Sequence, residues 1–562
     1  MTSQSPLLLG RPVRAKESPA NTGGQPESDA LAGVKKALAA GREATIREIA
    51  ALEGGFAFGL QDAASARTVL AVDRFAIHSL CYTVEGGQLR FAERADALAG
   101  VDADLEHQAI FDYLFFHCIP SPRTIFKGVH RLPPGHCAWF EAGQLTVAPF
   151  WKPTFTEPGS APSFDALRDE FKSLLQQAVG RQLGTGIPAC FLSGGTDSST
   201  VAGMIGLAAG QPAHTYSIGF EAEGYDEMAF ARIAARHFKT EHHEYYVTPE
   251  DLVRSVPMVA QAYDQPFGNS SALPAYYCAK FARENGVTRL LAGDGGDELF
   301  GGNSRYAKQR VFGWYQHIPG FMRHALLEPL IQRTPLGGLP GLKKGRSYIE
   351  QAQVPMPERL QMYNLLLRLG VAEVLTPGFA ASIDTGAPGR LQRDVWGQAN
   401  SAGELNRTLA FDWRFTLAES DLPKVRGTTT LAGIDVAFPF LDDRLVDFSC
   451  RLPVEYKLKG LKLRWFFKEA LRGFLPDEII TKKKQGFGLP FGVWATRHAG
   501  LAAMAGESLR SLGERGIVRQ DFIKDLVAKR LPEHPGYYGE MVWILMMLEQ
   551  WLQSHMPNLR VR

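Results

Sequence analysis

Up to about residue 152 the apolar positions come in short runs cut by Gly and Asp turns. Residues 31–41 carry a helical pattern that stops at Gly41. Residues 55–60, 68–72 and 89–92 read as strands, and Pro133-Pro134-Gly135 turns the chain into another at 136–140. Such spacing predicts an antiparallel sheet. From 164 the pattern changes. Helices at 164–182, 198–209, 226–238 and 272–285 alternate with strands at 187–192, 213–219, 242–247 and 287–292. That alternation predicts a parallel sheet covered by helices, whose ligands sit at the carboxyl ends of the strands. Beyond about 305 the pattern is mostly helical. The expected fold class is therefore α/β: an N-terminal antiparallel α+β domain, then a parallel-sheet domain with a mostly helical C-terminal part.

Residues 15–30 are polar and rich in Gly, Pro and Ser, and three prolines fall in 152–162. The expected division is a flexible segment 1–30, a domain 31–152 and a domain 163–562. A chain of 562 residues has material for two or more large cores. Its net charge of +2 balances 61 basic against 59 acidic residues, so nothing points to nucleic acid or a membrane surface. No apolar run is long enough to span a bilayer, and the first residues lack a signal-peptide core. Cysteines 81, 118, 137, 190, 278 and 450 form no CxxC pair and no zinc spacing with histidine. Buried, reduced thiols are expected, which places the protein in the cytoplasm.

Two Gly-rich stretches carry the candidate chemistry. Phe191-Leu192-Ser193-Gly194-Gly195-Thr196-Asp197-Ser198-Ser199 follows a strand and opens a helix. Bare backbone N–H groups and hydroxyls at a helix N-terminus suit an oxyanion, and Asp197 suits a Mg²⁺ bridging to phosphate. Leu291-Ala292-Gly293-Asp294-Gly295-Gly296-Asp297-Glu298 sets three acids among glycines after another strand. No GxxxxGK[ST] occurs, which argues against a P-loop NTPase. His242-His243 reads as a strand with one histidine inward and one outward.

These stretches resemble the synthetase half of the glutamine-dependent asparagine synthetase family, and the similarity runs from roughly residue 50 to 495. Residues 193–199 match its SGGxDS pyrophosphatase-type (PP-loop) nucleotide loop. The strand 214–220, with Ile218, matches the one whose backbone reads adenine. Tyr225-Asp226-Glu227 matches the acidic start of the next helix. Residues 264–271 resemble the loop beside the acyl pocket, and 293–302 the second active-site loop. Thr481-Lys482-Lys483-Lys484-Gln485-Gly486-Phe487 matches the segment carrying the pyrophosphate-holding lysine.

The resemblance implies ATP and Mg²⁺ as cofactors. Leu192, Ser193, Gly194, Gly195, Thr196, Asp197, Ser198, Ser199, Ile218 and Gly293 would bind nucleotide, and Asp197 and Asp297 would hold the metal. Asp294 would orient or deprotonate the amine, and Lys484 would hold leaving pyrophosphate. Lys482 and Lys483 are expected to be solvated surface lysines.

Two departures stand out. The family's glutaminase domain opens on a nucleophilic Cys after the initiator Met. Here residue 2 is Thr, the first cysteine is Cys81, and the Asn-Gly-Glu glutamine segment is not visible. Residues 54–58, 71–75 and 123–129 resemble only its back half, so the N-terminal domain reads as a glutaminase-like remnant with no nucleophile. Its Asp73 is expected to be structural. Whether an upstream start would restore an N-terminal cysteine is left open by the sequence. The second departure lies before Pro439-Phe440-Leu441-Asp442, where Arg426, Thr430, Asp435 and Ala437 replace the family's Asp, Met, Glu and Arg. Loss of that Arg removes a bidentate carboxylate partner.

The leading expectation is an ATP-dependent amide-forming ligase. It would adenylate a carboxylate, by default aspartate, and couple it to ammonia or another amine. A second reading keeps the chemistry on a different carboxylate, as in relatives that close lactams or amidate sugars and secondary metabolites. A third is a non-catalytic scaffold. Candidate partners are a small-molecule carboxylate with ammonia or an amine, a separate glutaminase or carrier protein, and a second copy of the chain.

Overall fold

The computed structural model describes residues 6–14, 26–100, 103–156, 162–316, 319–322, 348–401, 403–483 and 488–561. In the N-terminal part five antiparallel strands run in the order Leu7–Gly10, Phe56–Asp62, Arg67–Val72, His136–Glu141 and Gln144–Pro149. The period of two divides one strand between two cores. Phe56, Phe58 and Leu60 pack with Val34, Leu38 and Ile49 of the helices Pro26–Ala40 and Arg42–Ala50. Ala57 faces the other way, with Leu70 and Val72, onto Tyr82, Leu89 and Phe91 of a three-stranded sheet. Within 1–30, expected to be flexible, Leu7–Gly10 instead forms the edge strand opposite Phe56–Gly59, and Val13–Arg14 pairs with Leu52–Glu53. Leu7 and Leu9 pack against the core beneath the sheet, while Leu8 between them stays exposed.

The second part is built on five parallel strands in the order Glu241–Val247, His214–Phe220, Ala189–Phe191, Arg289–Leu291 and Asp435–Ala437. The last strand was not expected, because three residues after a glycine carry too little pattern. The chain leaves Ala189–Phe191 toward His214–Phe220 on one side and later returns as Arg289–Leu291 on the other. That reversal opens a crevice at the carboxyl ends of the central strands. The two Gly-rich stretches begin there.

The domains are stitched by buried polar contacts. Asp443 accepts the Gly54 N–H at 2.6 Å and pairs with Arg74 at 2.7 Å. Glu419 accepts Ser121 Oγ at 2.8 Å and pairs with Arg131. Tyr113 donates to the Ile544 carbonyl at 2.8 Å. All six cysteines are buried and free. Among the described residues no helix is long and apolar enough to cross a membrane.

Candidate active site

The helix Thr196–Ala209 starts directly behind the central strand, with Gly195 at its N-cap. Gly194 has φ +68°, and a Cβ there would stand 2.4 Å from the Ala231 amide, so this corner must be glycine. Ser198 Oγ accepts the Ser193 N–H at 3.1 Å and lies 3.0 Å from Ser193 Oγ. The result is a bare backbone cradle rimmed by hydroxyls at a 14-residue helix.

This cradle opens into a cavity of about 910 Å³. Leu192, Ser193, Gly195, Thr196, Asp197, Ser198, Ile218, Gly293, Asp294 and Asp297, ten of the residues expected at the site, line it together. Gly194 shapes the turn without lining the cavity. Ser199 is fully buried, and its N–H closes the helix on the Gly195 carbonyl at 3.1 Å, so it is no donor to the cavity. Lys484 lies outside the described residues. Lys482, expected in solvent, instead lines the wall, with its side chain only 9% exposed and its ammonium 2.8 Å from Glu227. It also sits over the Phe230 ring at 4.4 Å. Lys483 also lines the cavity but remains exposed, as expected.

The second loop approaches the first closely. A Cβ on Gly296 would fall 2.4 Å from Asp197 Oδ1, and one on Gly302 would fall 1.7 Å from Asp297 Oδ1. The two carboxylates converge on Arg464, a residue with no sequence signal. Its Nη1 donates to Asp297 Oδ1 at 2.6 Å and to Thr196 Oγ1 at 2.8 Å, and its Nη2 donates to Asp197 Oδ1. Lys462, Lys468, Arg472, Lys482 and Lys483 join Arg464 on the cavity wall. This basic set suits a polyphosphate.

Asp294 stands with a different group. Lys424 Nζ lies 3.7 Å from Asp294 and 3.0 Å from Asp421. Burial raises the Asp294 carboxyl above its ordinary range, and Lys424 pulls it back. Burial presses the Lys424 ammonium downward, but Asp421 and Asp294 raise it on balance. Asp421 closes a π-helical stretch, Trp413–Asp421, whose wider turn also brings Thr416 to the cavity. Lys424, Asp421 and the π-turn were not among the residues expected at the site.

The residues that depart from the family pattern do not line the cavity. Arg426 turns to the N-terminal domain, donating to the Ile77 carbonyl at 3.0 Å and to Glu93 at 2.9 Å. Asp435 pairs with Arg289, Thr430 is exposed, and the Ala437 carbonyl accepts the Ala292 N–H at 2.9 Å. Asp73 is 3% exposed, and its oxygens accept N–H groups of Phe56, Phe75 and Ile77 at 3.0, 2.9 and 3.0 Å. Burial pushes its pKa up to about 6. His242 bonds Thr215 at 2.9 Å and His243 stacks on Tyr216 at 4.7 Å, away from the cavity.

Comparison with known proteins agrees with this geometry. The asparagine synthase family profile matches residues 170–553, and a glutamine amidotransferase domain profile matches residues 28–151. The chain is 25% identical to the glutamine-hydrolyzing asparagine synthetase 1 of Bacillus subtilis, over 91% of this chain and 78% of that protein. The glutamine-hydrolyzing asparagine synthetase 3 of Bacillus subtilis is 24% identical over 78% of this chain and 67% of its own length. The amidase chyE of Penicillium rubens is 25% identical over 79% of this chain and 71% of its own length. The chain belongs to the asparagine synthase family, whose members are ATP-dependent carbon–nitrogen ligases.

Proposed function

We propose that this protein adenylates a carboxylate and hands the acyl group to ammonia or another amine, with aspartate as the default substrate and asparagine as its product. The observation that carries this reading is the convergence of both Gly-rich loops, their acids and a basic wall on one cavity. A carboxylate oxygen attacks the α-phosphorus of ATP, and the bond to the β-phosphate bridging oxygen breaks. Pyrophosphate leaves toward Lys462, Lys468, Arg472 and Lys482, and the family resemblance assigns its capture to Lys484. The amine then attacks the acyl carbon, AMP departs, and the proton shed by nitrogen passes to Asp294.

Asp197 and Asp297 fit a divalent cation. Both are hard oxygen donors, both meet on the Arg464 guanidinium, and the glycines at 296 and 302 keep Cβ atoms off their oxygens. Mg²⁺ held there would offset charge on the phosphates. Asp73 supports a non-hydrolytic N-terminal domain, because backbone N–H groups take up its oxygens. Nitrogen would then come from free ammonia, an amine substrate, a separate glutaminase or a carrier protein. Six buried free thiols support a cytoplasmic setting. Homodimerisation is part of the proposal and is checked by light scattering.

A second reading keeps the same chemistry on another carboxylate, forming a lactam or amidating a sugar or secondary metabolite. It is favoured by Ala437 standing where the family carries Arg. ATP–pyrophosphate exchange with Mg²⁺ tests both. Aspartate-dependent exchange, lost in Asp197→Ala, supports the first reading. Exchange with other carboxylates alone supports the second, and ATP binding without any exchange overturns adenylation.

A further inference from the structure

Two carboxylates that share one point in a largely buried site repel each other, and one would take up a proton unless a cation lay between them. Here the cation is supplied by the chain. The Arg464 side chain is 7% exposed, and its fork spans both acids, one nitrogen to each. The same Nη1 reaches Thr196 Oγ1 at 2.8 Å, at the mouth of the phosphate cradle. The guanidinium lies over the Phe467 ring at 4.3 Å, so its position is fixed from behind. Its Nε is buried and has no hydrogen-bond partner among the described residues. The backbone contributes as well. Arg464 has φ +54°, a left-handed conformation that bulky residues adopt only where the surroundings impose it, and its N–H is held by the Gly301 carbonyl at 3.2 Å.

These contacts place one side chain on three groups with different duties. Two are the acids that fit a divalent cation, and the third is the first hydroxyl of the anion-binding helix. We infer that Arg464 is an internal counter-cation that holds the Asp197–Asp297 pair in the nucleotide-free protein and yields it to a divalent cation only when phosphate arrives. A phosphate seated at Thr196 offers the guanidinium a bidentate partner beside its present one. The acids are then released to the incoming metal. Ordered binding follows: the metal enters with the phosphate, and neither acid is left buried without a positive partner. Lys462 and Lys468 stand on the same wall, but an ammonium is a point charge without the planar fork that gives each acid its own nitrogen.

The inference rests on the reading of this cavity as a nucleotide site only for the role of phosphate; the competition between Arg464 and metal is tested without nucleotide. The probe is Mn²⁺, with free ion counted by electron paramagnetic resonance, on the full chain. Wild type is expected to bind Mn²⁺ weakly alone and more tightly once inorganic pyrophosphate is added. Arg464→Gln is expected to bind Mn²⁺ alone about 10- to 100-fold more tightly, the scale of a charge-assisted contact removed from competition. Adding Asp197→Asn to that variant is expected to abolish the gain. Arg464→Lys, which keeps the charge but not the fork, serves if the glutamine variant does not fold, and is expected to show a smaller gain. Unchanged Mn²⁺ affinity in both Arg464 variants, or tight nucleotide-free binding by wild type, overturns the inference. Neither result depends on which carboxylate the enzyme uses.

Discussion

Replacing Asp294 with Asn separates the two halves of the proposed reaction. The change preserves side-chain size and removes one negative charge. Lys424 keeps Asp421 at 3.0 Å, so no buried ammonium is left alone and the wall should hold its shape. Asp197 and Asp297 are joined to Arg464, not to Lys424, so the metal pair is not addressed by the change. The deficit should therefore fall on amine attack. Losing a general base costs about 10²- to 10⁴-fold in rate, or about 3–5 kcal/mol of transition-state stabilisation.

The assay follows ATP–pyrophosphate exchange and amide formation side by side, with the carboxylate that supports exchange and with hydroxylamine as a strong trapping nucleophile. Exchange should stay near wild type while amide formation collapses, and hydroxylamine should recover part of the loss. The pH profile provides a sign check. Lys424 favours the ionised form of Asp294, so Lys424→Met should raise the Asp294 pKa further and move the acidic limb of amide formation to higher pH. Equal loss of exchange and amide formation in Asp294→Asn would show that Asp294 serves adenylation. No loss in either would remove it from the mechanism.

Gly302→Ala should abolish exchange and lower thermal stability, because its Cβ would stand 1.7 Å from Asp297 Oδ1 and 2.5 Å from Arg464 Cδ. Gly194→Ala should weaken ATP binding measured by calorimetry, since the left-handed backbone alone costs about 1–2 kcal/mol and the Ala231 amide blocks the methyl. Asp73→Ala should lower the denaturation midpoint through its orphaned N–H groups yet leave the exchange rate at the same temperature intact; lost exchange in folded protein would show a role beyond the N-terminal domain. Glu549→Gln should cost about 3–5 kcal/mol in unfolding free energy. Glu549 is fully buried against Arg515 at 2.6 Å, which also binds the Met556 carbonyl at 3.0 Å.

Local pattern carried the alternation of strands and helices and the two loops. Strong periods and Gly clusters impose backbone geometry over a few residues, so Gly194 and Gly195 announced the anion cradle and Asp197 was named from its loop, while Asp294 and Asp297 were named through the family resemblance of theirs. Two kinds of feature were beyond it. Short or unpatterned segments, such as Leu7–Gly10, Asp435–Ala437 and the π-turn ending at Asp421, owe their form to partners distant in sequence. Long cations are ambiguous because their stems reach in any direction: Lys482 entered the wall beside Glu227, Arg426 left for the N-terminal domain, and Arg464 reached both acids from 167 and 267 residues away. The sequence by itself determined which backbone could cradle a phosphate and which acids stood beside it. Only the tertiary structure decided which cations face those acids, because that pairing is a property of the folded sheet and the helices packed on it.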